Sequence, residues 1–151
     1  GNRMKEKFQK ILESMDKKGG TPVVLFAVLK MDDLADKWTV VYADESETLD
    51  TENRKKIFGN LLDEIKKELS ADDINLIARV GVFTAKDHLI ESLLRYQTGA
   101  KLSNEKVNGN FVHDGYIIKA AGSGDKTEKA STPGEADLQA ENQTPKGGVN
   151  L

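Results

Sequence analysis

Apolar residues recur at helical spacing near the start of the chain. Met4, Phe8, Ile11, Leu12 and Met15 share one face, and Gly19, Gly20 and Pro22 supply a stop, so the pattern predicts a helix from about Met4 to Lys18. "TPVVLFAVLK" then changes the period: it is a continuous, branched apolar run, as expected of a central strand covered on both faces. "MDDLAD" is polar enough to turn the chain. Beyond it Trp38, Val40 and Tyr42 alternate with Thr39, Val41 and Ala43 in a second strand, with the first set expected on the core face. The helical period returns from about Thr51 to Leu69, with Ile57, Phe58, Leu61, Leu62, Ile65 and Leu69 on one stripe and lysines, among them Lys55 and Lys56, mainly on the wet side.

"INLIARVGVF", Ile74 to Phe83, reads as a third strand, and "TAKD" after it as a capping-box start for a helix reaching about Tyr96, with Thr84 as N-cap. Asn108-Gly109 between two short runs is the strongest local hairpin signal, and "YIIKAA" reads as the closing strand. The expected order is therefore α-β-β-α-β-α-(β)-β. That order implies an α/β class, with α+β as the neighbouring option: one mixed sheet of about four to five strands carrying three helices, with right-handed crossovers.

Composition breaks near Ala121. The segment 122–151 lacks aromatic residues, and its sizeable apolar groups are Leu138, Val149 and Leu151. Such a segment buries too little surface to offset its ordering entropy, so residues 4–121 are expected to form one domain and 122–151 a disordered polar tail. Residues 1–3 precede Met4, which reads as the natural start.

The W-x-V-V-x-A strand at Trp38 to Ala43, the charged helix after it, the I-x-R-V strand at Ile77 to Val80 and the terminal G-Y-I-I-K-A strand together resemble small bacterial α/β proteins of uncharacterised activity. The likeness covers about residues 21–121. It implies the fold and carries no activity with it.

Charge and cysteine content narrow the chemistry. The 22 basic and 25 acidic residues give a net charge of −3, which supplies no general attraction to phosphate backbones, so nucleic acid is not an expected partner. Cysteine is absent, which removes disulfides, thiol nucleophiles and thiolate zinc sites together and fits a reducing, cytoplasmic setting. The longest apolar run, Val23 to Leu29, is far shorter than the ~20 residues of a spanning helix, so no membrane partner is expected.

Four groups of residues invite chemical readings. Asp44, Glu45 and Glu47 follow a strand, where oxygen-ligated Mg²⁺ or Ca²⁺ sites are built, but the same stretch makes a solvated loop leading to Asp50 as the N-cap of the next helix. The loop reading is preferred. Arg79 interrupts an apolar strand and needs either a paired carboxylate or a face open to water. His113 and Asp114 form the neighbouring acid and imidazole of a possible general base, against which Asp114-Gly115 is a common turn pair; His88 falls in a first helical turn, where exposure or capping is expected. "GSGDKT" at 122–127 follows a strand as a phosphate loop does, but Asp125 stands between Gly124 and Lys126 and would set a negative charge near phosphate.

No nucleophile elbow, complete metal set or intact phosphate loop emerges. The expected role is a non-catalytic binding or regulatory domain for a protein or small-molecule partner, without a cofactor. The alternative is a metal-assisted hydrolase or nuclease in which Asp44, Glu45 and Glu47 hold the ion and Arg79, His113 and Asp114 supply the catalytic groups.

Overall fold

The computed structural model describes residues 2–31, 36–46 and 50–121, with the backbone alone at Asn2. Glu47 and the segments 32–35 and 122–151, with the tail expectation that rests on the last, lie outside the described residues. Helix α1 (Asn2–Lys17) leads into strand β1 (Val23–Met31), and β2 (Trp38–Asp44) follows it. Helix α2 (Thr51–Glu68), the single turn α3 (Ala71–Ile74) and strand β3 (Ile77–Phe83) come next, then helix α4 (His88–Leu93) and strands β4 (Lys101–Val107) and β5 (Asn110–Ala120). The strands form one mixed sheet in the order β3-β2-β1-β5-β4, in which only β2 and β3 run parallel. The expected α/β class and mixed sheet are what the chain forms.

Each face of the sheet has its own core. Phe8, Ile11 and Met15 of α1 and Leu61 and Ile65 of α2 pack on Phe26, Val28, Trp38, Val40 and Tyr42. On the opposite face Ile90 and Leu93 of α4, with Tyr96, cover Leu25, Leu29, Val41, Leu102 and Ile117. The apolar run of β1 is buried on both faces because it is the middle strand, flanked by β2 and β5. Burying a side chain of Leu, Ile or Phe size contributes ~1.5–3 kcal/mol, so the two layers outweigh the weak intrinsic preferences of any single segment. Two acids that the apolar pattern passed over lock the helices together. Asp73 of α3 takes Arg3 and Lys7 of α1, and Glu64 of α2 takes Lys18 at 3.0 Å and Lys67 at 3.6 Å.

Several expectations need correcting. Ser70 Oγ accepts from Asp73 N–H, which makes 71–74 a capped helical turn and starts the third strand at Ile77 rather than Ile74. That strand is an edge and half exposed. The helix near 84–96 is shorter than its pattern: Asp87, not Thr84, is the N-cap, accepting from Leu89 N–H, while Thr84 belongs to the preceding turn. Phe58, placed on the apolar stripe of α2, is among the exposed large side chains. Asp114-Gly115 is not a turn but lies inside β5 at a register shift, where His113 is the extra residue between the pairs Lys30–Asp114 and Met31–Val112. Arg3, in the first turn of α1, makes the ion pair with Asp73.

Candidate functional site

The acids that follow the second strand do not share one environment. Asp44 is the last residue of β2, is only 2% exposed, and continues the series Trp38, Val40, Tyr42 on the face covered by α1 and α2. This overturns its reading as a solvated loop residue. Its Oδ1 accepts from Ser46 N–H at 3.1 Å, and its Oδ2 is buried with no hydrogen-bond partner among the described residues. Glu45 is exposed, tied through its backbone N–H to Pro22 O at 3.1 Å. Asp50 caps α2 as expected, accepting from Glu52 N–H.

Asp44 stands on the wall of a polar pocket of about 150 Å³ between the end of β2, the start of α2 and the loop that joins α1 to β1. Lys18 to Thr21 form one side, Asn53, Lys56 and Asn60 of α2 another, and Met15 and Ile57 an apolar patch. Gly19 and Gly20, at φ +80° and +91°, make the sharp reversal that brings this loop back over the strand end. Tyr42 also lines the pocket, and its phenol is pushed well above its usual range, first by burial and then by the carboxylates of Asp44 and Asp16. It therefore remains a neutral hydroxyl at physiological pH. Lys18 is held by Glu64, whose carboxyl lies below its ordinary range chiefly because Lys18 donates to it.

The other candidates lie elsewhere. Arg79 pairs in β3 with Thr39, five residues before Asp44 and so about 16 Å along the strand. It is exposed and donates through Nε to Thr39 Oγ1 at 3.2 Å, with Met31 Sδ at 3.8 Å from its Nη2; of the two arrangements open to it, it has the water-facing one. Asp114 pairs with Lys30 near the far end of β1, whereas Asp44 pairs with Val23 at its start, a separation of roughly 23 Å. Asp114 accepts from Gly115 N–H at 2.9 Å and lies 3.4 Å from Lys101 Nζ, and His113 packs edge-on against Phe111. His88 is exposed, 4.0 Å from Glu91. Asp44, Arg79 and the His113-Asp114 pair are thus not brought together.

No cluster of three or more metal-ligating His, Cys, Asp or Glu side chains occurs among the described residues, and Asp44 is the one carboxylate on the described wall of its pocket. A second, apolar depression of about 180 Å³ lies between α2 and β3, lined by Leu62, Ile65, Ile74 and Ile77 with Lys66 and Arg79 at its margin. No helix among the described residues is long and apolar enough to cross a membrane.

Sequence reasoning missed the pocket because its wall is assembled from three separated segments. Lys56 reads as a solvated lysine, and Asn53 and Asn60 fall in no pattern that marks them. One signal was present: Asp44 falls on the same period-two positions as Trp38, Val40 and Tyr42, which placed it on the covered face. No protein family, curated protein or solved structure matches this chain.

Proposed function

We propose that this domain binds a small polar molecule at the Asp44 pocket and works by that binding rather than by chemistry of its own. The observation that carries the reading is the buried Asp44 Oδ2, which has no hydrogen-bond partner among the described residues. A carboxylate removed from water without full compensation costs several kcal/mol, and such a cost is offset when a ligand brings the missing donor. A metal-dependent hydrolase is less well supported. Its ion would have one carboxylate on the described wall and two lysines beside it, with Arg79, His113 and Asp114 distant.

The test is thermal denaturation of the full chain against a panel of small polar metabolites. A ligand of the folded state stabilises by RT ln(1 + [L]/Kd), about 2.7 kcal/mol at a hundred times Kd. A saturable rise in midpoint that disappears in Asp44→Asn supports the reading. Hydrolysis of a phosphodiester or peptide substrate that depends on Mg²⁺ or Mn²⁺ and on Asp44 would replace it with the hydrolytic one.

A further inference from the structure

Resting on that pocket as the binding site, we infer that its ligand is a small zwitterion carrying an ammonium group and a carboxylate, the chemistry of a free amino acid. The wall holds one acid and two bases, and one base is already matched: Lys18 lies 3.0 Å from Glu64. Lys56 makes no ion pair with a described residue, and Asp44 Oδ2 accepts no hydrogen bond. Tyr42, Thr21, Asn53 and Asn60 are neutral.

Among the described residues the pocket therefore offers one unmatched anion and one unmatched cation, in a polar wall whose other charge, Lys18, is already paired. A divalent cation would satisfy Asp44 but meet Lys56 with the wrong sign, and it would find neutral oxygens where hard cations favour several carboxylates. A bare anion would satisfy Lys56 and be repelled by Asp44. A molecule with both charges meets both groups, its ammonium donating to the buried Asp44 Oδ2 and its carboxylate accepting from the exposed Lys56, each a charge-assisted hydrogen bond and the first of them shielded from bulk water. The Tyr42 hydroxyl and the amides of Asn53 and Asn60 serve either end, and Met15 and Ile57 give a short aliphatic chain a dry contact. A space of about 150 Å³ sets the size to a small molecule and excludes a folded partner.

The experiment is a ¹⁵N chemical-shift titration of the full chain with glycine, 4-aminobutyrate, methylammonium, acetate and Mg²⁺ as separate probes, the first two differing in the distance between their charges. Saturable shifts centred on Thr21, Asp44, Ser46 and Asn53 with at least one zwitterion are expected. Affinity should fall at least tenfold in Asp44→Asn and several-fold in Lys56→Met, whose exposed site on α2 leaves the fold intact. Methylammonium should bind more weakly at the same amides. Saturation by acetate or Mg²⁺ without either zwitterion overturns the ligand class while the pocket stands as a binding site. No saturable shift with any probe overturns both.

Discussion

The carboxylate of Glu64, almost sealed beneath the end of α1, lies 3.0 Å from the Nζ of Lys18, the residue at which the chain leaves that helix for the glycine turn. The pair fastens one end of α1 to α2, and Arg3 with Asp73 fastens the other end to α3. Both acids titrate below their ordinary range in the folded chain, Glu64 chiefly through the hydrogen bond from Lys18 and Asp73 chiefly through that from Arg3. A carboxyl whose folded pKa is depressed contributes stability above its unfolded pKa, about 4, and loses it as pH falls through the folded value. The melting midpoint should therefore hold from neutral pH to about pH 5 and decline progressively below about pH 4. Calorimetry from neutral to acid pH checks this: the double variant Glu64→Gln, Asp73→Asn should melt lower at neutral pH and show a shallower acid decline, and an acid limb unchanged from the parent would refute it.

Asp44→Asn is expected to raise the stability of the ligand-free chain. The amide keeps an oxygen for Ser46 N–H, 3.1 Å away in the parent, and removes a buried charge whose Oδ2 lacks a partner. The gain should be on the order of 1 kcal/mol, a rise of about 2–4 °C for a chain of this size. A midpoint several degrees lower would mean that the carboxylate is matched in solution.

Trp38 is 4% exposed, with Lys30 Nζ 4.8 Å from its ring and Tyr116 at 6.1 Å between centroids. Trp38→Ala should cost ~3–5 kcal/mol through the cavity it leaves. Emission of the parent should be blue-shifted from that of free indole; a fully water-like spectrum would contradict the burial.

Gly115 of β5 pairs with Leu29 of β1. A Cβ there would lie 2.8 Å from Leu29 Cδ2 and 3.1 Å from Val28 O, and the second of these is backbone that has little room to move. Gly115→Ala should destabilise by ~1–3 kcal/mol. Denaturant unfolding decides it, since an unchanged midpoint would show that β1 and β5 separate more easily than their spacing suggests.

What the sequence disclosed and what it hid divide by the range of the interaction. The stripe of α1, the doubly buried β1, the Asp50 cap and the Asn108-Gly109 reversal, with both residues at positive φ, are local or periodic facts and were readable. Asp73 and Glu64 were not, because a buried acid is legible only with its base, and Arg3 and Lys18 lie far from them along the chain. The solvated reading of Asp44 gave more weight to its acidic neighbours than to its strand period, and the period governs which face a side chain occupies. Asp114-Gly115 has turn composition, yet the pairing of β5 with β1 and β4 overrode it and left a bulge.

The pairing of β1 with β5 carries a consequence for how the chain comes to be folded. Ala27 and Ile117 are neighbours in the sheet although roughly ninety residues separate them in sequence. The β1–β2 pair closes over few residues of sequence and forms cheaply, whereas the other edge of β1 must wait for the last strand, against the entropy of closing a much longer stretch of chain. Until then the most apolar strand in the chain has one unpaired edge, the arrangement that recruits strands from other molecules. During synthesis this domain is thus most exposed to aggregation in the interval before β5 emerges. A chain ended at Asn108 should show it as light scattering and loss of soluble yield, where the chain ended at Ala121 stays in solution.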